Sequence, residues 1–187
     1  MDIQKLDNLK ERIDNLNDLK IKELFNELYE ELIKINNELY IDDLTKLYNR
    51  KKLQEEKDYK IIVMCDVDNF KTINDKLGHG TGDIILIDIS KKLKKIIGTN
   101  GIICRYGGDE FTILFDKIEL NKCIDLLEEL KREIDYEICG IPITISYGIS
   151  EKLENETQDE LIIKADKALY ESKQKGKNRL TIYKKKK

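Results

Sequence analysis

The stretch that most constrains the fold is ICRYGGDEFTILF, Ile103–Phe115. Two apolar runs flank a glycine pair, and two acids follow the glycines at once. Such runs, broken by Gly-Gly, predict two strands joined by a tight hairpin. A primed turn with positive φ at both Gly107 and Gly108 would account for the glycines alone. It would not account for Asp109 and Glu110, since acids after a turn are ordinarily solvated and these sit inside a run fit for burial. A second acidic pair closes another apolar run, KIIVMCDVDNF, where Asp66 and Asp68 stand two apart. Strand periodicity puts both on one face. If the two strands are neighbours, Asp66 and Asp109 converge. Converging carboxylates repel unless a cation lies between them, and Mg²⁺ takes such oxygen ligands together with substrate phosphates. The pattern points to a metal–nucleotide site.

The rest of the chain supplies a scaffold for that site. The first forty residues contain no Gly, Pro or Cys. Leu6, Leu9, Ile13 and Leu16, then Ile21, Leu24, Leu28, Leu32, Ile35 and Leu39, form an apolar stripe with charged residues between. This spacing predicts one long amphipathic helix of coiled-coil character over residues 1–41, with a phase slip near Leu19 that resembles a stutter. A stripe of that length ahead of a complete domain predicts self-association into a homodimer. A second helix is expected from Asp42 or Asp43 through DDLTKLYNRKKLQEEK. Beyond it, residues 42–187 read as strand, two helices, two strands, helix, strand, helix, strand. Pro142 opens the run IPITISYGIS, and Thr157 is placed to cap the helix that follows. Strand–helix alternation with one hairpin predicts an α/β (α+β) domain with a central mixed five-stranded sheet flanked by helices.

Composition narrows the function. With 187 residues the chain can bury a substantial core. The 34 basic and 37 acidic residues nearly balance, at a formal charge of -3. That argues against a general nucleic-acid or membrane surface. The basic end YKKKK reads as a solvated tail. No apolar run approaches a bilayer span, and the charged start MDIQKLDNLKERID lacks the apolar region of a secretory signal. A cytoplasmic location is expected. The four cysteines, Cys65, Cys104, Cys123 and Cys139, form no CxxC pair and read as free thiols.

Beyond these physical signals, the chain resembles the GGDEF family of diguanylate cyclases. Five ordered blocks carry the resemblance: DDLTKLYNR, CDVDNFKTINDKLGHGTGDIIL, RYGGDEF, TISYGIS and ADKALYESKQKGKN, spanning roughly residues 42–183. The resemblance implies a GGDEF fold and a reaction that joins two GTP molecules into cyclic di-GMP with release of pyrophosphate. It implies that Asp66, the Val67 carbonyl, Asp109 and Glu110 hold Mg²⁺, with Mn²⁺ as an alternative. Asp109 and Glu110 would be catalytic, and Asp109 is taken to help deprotonate the attacking hydroxyl. Phe70 and Lys71 would lie against the phosphates at a helix start, where amides favour anions. Lys173 and Lys177 resemble the family's distal phosphate pair, although Lys177 stands where Arg is usual and lacks its bidentate fork. Asn74 and Asp83 match the guanine-reading pair. A carboxylate accepts from guanine N1–H and the N2 amine, and ATP would leave it unpaired. His79, the only histidine, fits a turn that orders the base pocket better than a catalytic group.

Two departures from the family pattern stand out. Gly98 and Gly101 occupy the positions of the family's RxxD product-inhibition site. Neither can supply a guanidinium or a carboxylate, so no inhibition through that site is expected. Lys46 replaces a usual glycine, read as a local helix matter without functional loss. A sensor would precede Met1 if the chain is a piece of a longer protein. The alternative reading is a non-catalytic GTP- or cyclic di-GMP-binding module of the same fold. It is set below the enzyme because the signature acids and the base pair are all present.

Overall fold

The computed structural model describes residues 3–15, 18–55 and 59–184, and the backbone divides into two units, Met1–Ile41 and Asp42–Lys187. The first unit is helical, but in two pieces: α1, Ile3–Asp14, and α2, Leu19–Tyr40. The continuous helix expected from the apolar stripe is interrupted where polar cap-forming residues cluster. Asp18 is extended, and its carboxylate accepts from the amides of Lys20 (3.0 Å) and Ile21 (3.2 Å), which starts a new helix. Helix α1 then runs back along α2. The Tyr29 hydroxyl donates to Asp7 at 2.5 Å, and the Lys10 ammonium lies 4.1 Å from the Tyr29 ring centre. Leu16 lies outside the described residues. On α2 the stripe survives as an uncovered face: Leu24 is 70% and Leu28 57% exposed, with Ile21, Ile35 and Leu39 also exposed.

The second unit is built on a six-stranded sheet of order β1-β3-β4-β2-β7-β8, with a separate β5-β6 hairpin. The strands are β1 (Tyr48–Asn49), β2 (Ile61–Val67), β3 (Ile102–Gly107), β4 (Glu110–Phe115), β5 (Tyr136–Ile138), β6 (Ile141–Ile143), β7 (Ile145–Glu151) and β8 (Leu180–Ile182). Central β2 is antiparallel to both β4 and β7, while β1 with β3 and β7 with β8 are parallel pairs. The sheet is mixed as expected, and the sixth strand is the two-residue β1. Every residue of β2 is buried, because it has neighbours on both edges and helices on both faces. Ile61, Val63, Cys65 and Val67 face one core with α4 (Phe70–Leu77), α5 (His79–Ile97) and α6 (Leu120–Ile134). Ile62 and Met64 face the other, with Leu53 of α3 (Arg50–Glu55) and Leu161, Ala165 and Leu169 of α7 (Gln158–Gln174). Helix α7 approaches so closely that a Cβ on Gly148 would lie 2.1 Å from the Ala165 carbonyl oxygen. Thr157 caps α7 in a reciprocal box with Glu160, as its position suggests.

Three local departures have physical causes. The helix expected from Asp42 begins only at Arg50. Asp42 instead closes a turn, accepting from the Thr45 amide and hydroxyl, and Asn49 takes the capping role by accepting from Lys51 and Lys52 amides. The single run expected at IPITISYGIS is divided at Thr144, whose hydroxyl and carbonyl both turn to Asp68. Its first part pairs with β5 across a turn in which Cys139 (φ 50) and Gly140 (φ 77) are left-handed. Lys46 is left-handed too, at φ 54, so its position is a turn rather than a helix. Cys65, Cys104 and Cys123 are buried and Cys139 exposed, all as free thiols. Among the described residues no helix is long and apolar enough to cross a membrane. Left-handed backbone costs a side-chain-bearing residue about 1 kcal/mol relative to glycine, so Lys46→Gly is expected to raise unfolding stability by about that much in a denaturant titration. An unchanged or lower midpoint would show that the Lys46 turn carries no strain.

Candidate active site

The site forms where β2 ends. Asp66 is the penultimate residue of β2 and pairs across the sheet with Glu110, the first residue of β4. The next amide, of Val67, donates to the Asp109 carbonyl at 3.2 Å. Asp66, Val67, Asp109 and Glu110 are thereby brought to one end of two adjacent strands. The hairpin that delivers the acids differs from the expected primed turn. Gly107 pairs with Glu110, so the loop is Gly108–Asp109, and a register shift between Arg105 and Gly107 sharpens the bend. Neither glycine has positive φ. Open space lies where a Cβ of Gly108 would stand, which leaves the backbone accessible beside the acids.

Arg105 fixes the tip of this hairpin. Its Nε and Nη2 donate to the Gly108 carbonyl at 3.0 and 2.8 Å, and Nη1 reaches both oxygens of Asp42 at 3.1 and 3.2 Å. Burial works against the Asp42 carboxylate, but the Thr45 hydroxyl and amide and the Arg105 guanidinium together hold its pKa below the ordinary value. The sequence reading assigned no role to Arg105. The signal was its place two residues before the glycines, on the same strand as a buried Cys104.

A cation already stands among the acids. The Lys173 ammonium, near the C-terminal end of α7, lies 2.6 Å from Asp66 Oδ2. Lys177 donates to Asn69 Oδ1 at 2.5 Å, which sets it on the turn between β2 and α4. Both lysines are therefore placed at the end of β2. Asp66 is 7% exposed. Burial raises its pKa to about 6, the Lys173 hydrogen bond opposes the shift, and the charges of Asp109 and Glu110 add to it.

Among the described residues no group of three or more His, Cys, Asp or Glu side chains is arranged to hold a metal by itself. What Asp66, the Val67 carbonyl and the two neighbouring acids offer is a partial set of oxygen donors. That chemistry fits Mg²⁺, which commonly takes one or two carboxylates and completes its shell with water and substrate phosphates.

Asp68 does not share the role of Asp66. It lies beyond the end of β2 and turns inward, accepting from Thr144, Ser146 and Asn178. Phe70 opens α4 half-buried against the core, with Lys71 exposed beside it. Asn74, on α4, packs on the first turn of α5, where a Cβ on Gly82 would come within 2.0 Å of Asn74 Oδ1. That oxygen is enclosed against Gly82 and has no hydrogen-bond partner. Asp83 follows Gly82 and is exposed, and His79 is the exposed first residue of α5. A separate groove lined by Arg50, Leu53, Tyr106 and Gln158 includes none of these groups.

Residues 39–179 match the protein family described as diguanylate cyclase, GGDEF domain. Diguanylate cyclase A of Treponema denticola is 35% identical over 144 residues, covering 74% of this chain and 39% of the relative. Diguanylate cyclase VdcA of Vibrio cholerae is 32% identical over 169 residues, covering 82% of this chain and 50% of the relative. The chain thus spans half or less of the length of these curated relatives. Among solved structures, the coiled coil and GGDEF domain of DgcB from Caulobacter crescentus, in complex with c-di-GMP, superposes with a TM-score of 0.77 at 29% identity, over 84% of this chain and 92% of that one.

The raised pKa of Asp66 has a measurable consequence. In the unfolded chain its carboxyl titrates near the ordinary 3.8, and in the folded site near about 6. Between these values the folded state holds the extra proton, so this group's contribution to stability falls as pH rises through the interval. In metal-free buffer Asp66→Asn is expected to melt higher than the parent at about pH 8 and alike at about pH 4. A variant that melts lower at both would show that the ionised carboxylate is stabilising where it stands.

Proposed function

The chain belongs to the GGDEF family of diguanylate cyclases, and from that premise we propose that it condenses two GTP molecules into cyclic di-GMP with release of pyrophosphate. The observation that carries this reading is the gathering of Asp66, Asp109 and Glu110 at one end of β2, with Lys173 and Lys177 beside them. The four-residue spacing of the two lysines, the unpartnered oxygen of Asn74 and the exposed carboxylate of Asp83 are consistent with a triphosphate at one end and guanine at the other.

In this reading each domain binds one GTP. Asn74 and Asp83 accept from the guanine amide and amine, which adenine cannot satisfy. Phe70, Lys71, Lys173 and Lys177 position the phosphates. Asp109 takes the proton from the ribose 3′-hydroxyl. The 3′-oxygen then bonds to the α-phosphorus of the facing nucleotide while the bond to the departing pyrophosphate breaks, and the same step in the other direction closes the ring. Orientation and charge neutralisation supply most of the acceleration in such transfers. Mg²⁺ or Mn²⁺ held by Asp66, the Val67 carbonyl, Asp109 and Glu110 would lower the hydroxyl pKa and offset charge on the leaving group. GTP as substrate places the reaction in the cytoplasm.

Two nucleotide-loaded domains must meet, so the active species is a homodimer. The exposed stripe of α2 supports a seam through Leu24 and Leu28, and the DgcB structure, which contains a coiled coil with its GGDEF domain, is a precedent. Product inhibition through the RxxD position is absent in this account. Gly98 ends α5 at φ +53 in open space and carries no guanidinium, and a Cβ on Gly101 would meet the Leu114 carbonyl oxygen at 2.6 Å, so there is no room for a carboxylate side chain at Gly101.

Incubation with GTP and Mg²⁺, with products separated by chromatography, tests the reading. Cyclic di-GMP and pyrophosphate are expected from the parent and a loss of at least about a hundredfold from Asp109→Ala. Absence of product at high protein concentration would leave a binding module as the better account. In the same assay Leu24→Asp combined with Leu28→Asp should depress activity most at high dilution. Equal activity per mole at every dilution would remove α2 from the dimer seam.

A further inference from the structure

Asp66 and Asp68 look like twins in the sequence, yet the fold gives them opposite surroundings. Asp68 is 1% exposed. Its Oδ1 accepts from the Ser146 hydroxyl at 2.7 Å, and its Oδ2 accepts from the Thr144 hydroxyl at 2.7 Å and the Asn178 amide at 3.0 Å. Its own amide donates to the Thr144 carbonyl at 2.9 Å. Among the described residues no cation pairs with it. A buried carboxylate held by three neutral donors is costly to install, and its donors show what it holds in place.

Two of those donors lie where the chain passes from β6 into β7. The third belongs to the loop after α7. There Gly176, Lys177 and Asn178 are left-handed in succession, at φ 108, 61 and 45. Two side-chain-bearing residues in that conformation persist only where surrounding bonds compensate. The compensating bonds run from the Lys177 amide to the Ser172 carbonyl at 3.0 Å, from the Asn178 amide to Asp68, and from Asn178 Nδ2 to Asp135 at 2.9 Å. The neighbour of Asp68, Asn69, is left-handed as well, at φ 58, and its side chain accepts from Lys177 Nζ. The turn after β2 thus grips this loop twice, by the backbone through Asp68 and by the lysine head through Asn69.

We propose that Asp68 is a positioning residue for triphosphate recognition: it clamps the Gly176–Asn178 loop to the turn after β2 and so fixes where Lys177 presents its charge, without touching the nucleotide. This matters more for lysine than for arginine. A lysine head is a single charge on a flexible stem, so its placement depends on where its backbone is held. The inference rests on the reading of Lys177 as a phosphate ligand, but the clamp itself is tested without nucleotide.

The first arm is amide hydrogen exchange on the ligand-free chain. Asp68→Ala removes the acceptor, and Asp68→Asn keeps an acceptor of similar shape but not its charge. Exchange at Asn178 should quicken by at least about tenfold in Asp68→Ala and by several-fold in Asp68→Asn, since a bond to a charged acceptor is about twice as strong as a neutral one. Should Asp68→Ala fail to fold, Asp68→Asn carries the test. Parental protection at Asn178 in whichever variant folds would overturn the clamp.

The second arm compares GTP with GMP, which shares the base and sugar but lacks the outer phosphates. Asp68→Ala should weaken GTP about tenfold and GMP less than about twofold, and adding it to Lys177→Ala should weaken GTP no further. Equal losses for both nucleotides, or full additivity with Lys177→Ala, would reduce Asp68 to a general fold residue. A parent that binds neither nucleotide while the exchange result holds would instead sink the cyclase reading and leave the clamp standing.

Discussion

The structure depends on one electrostatic constraint: three carboxylates, Asp66, Asp109 and Glu110, are brought together at the buried end of the central strand. Burial of Asp66, with the charges of Asp109 and Glu110 adding to it, pushes its pKa to about 6, although Lys173 lies 2.6 Å away. A fold gains no stability from burying Asp66 in this way, and a perturbed carboxylate of this kind is a mark of a site of chemistry. The surrounding framework can be understood as what keeps the acids together despite their repulsion. The β2–β4 register aligns Asp66 with Glu110, and the wholly buried β2 leaves that register no freedom to slip.

The positive partners come from α7 and the loop after it, on the face of the sheet toward which Ile62, Met64 and, by strand alternation, Asp66 point. Helix α7 carries Lys173 to Asp66, and it can do so because Gly148 lets the helix backbone settle directly on β7. The loop after α7 carries Lys177 to the turn after β2, where Asp68 and Asn69 receive it. On the opposite flank Arg105 joins the hairpin tip to the Asp42 turn. Acids and cations thus reach the site on separate elements, each anchored by a buried or half-buried polar bond. Such bonds are specific in direction, which hydrophobic packing is not.

Much of this was legible in the residues. The apolar runs of β2, β3 and β4 and the cap at Thr157 follow from local rules of strands and helices, and the glycine pair marks the hairpin between two of those strands. The grouping of Asp66 with Asp109 and Glu110 required only that two apolar runs be neighbours. The parts that escaped depend on contacts distant in sequence. Asp66 and Asp68 have the same spacing whether both face a ligand or one turns inward, and only Thr144, Ser146 and Asn178 decide between these. The break between α1 and α2 hid behind an apolar stripe that continues on either side of it, although Asp18 carried the capping signal. The glycine usual at the position of Lys46 was the sign of its left-handed turn, but a lysine in a charged segment reads as helix and masked it. The glycine pair marks the hairpin, but the expected turn with positive φ at Gly107 and Gly108 does not form: the loop lies one residue later, at Gly108–Asp109, and neither glycine has positive φ, which strand pairing rather than composition determines.

The central claim is that the acids at the end of β2 form an incomplete cation site that a nucleotide's phosphates complete. Titration of Mn²⁺ into the chain, followed by the loss of its free-ion spin resonance signal, tests this with and without a non-hydrolysable GTP analogue. The account predicts an increase in Mn²⁺ affinity of at least about tenfold when the analogue is present, beyond the analogue's own affinity for the ion, and its disappearance in Asp66→Asn. Tight Mn²⁺ binding that is indifferent to the nucleotide, or that survives loss of the Asp66 carboxylate, would contradict it.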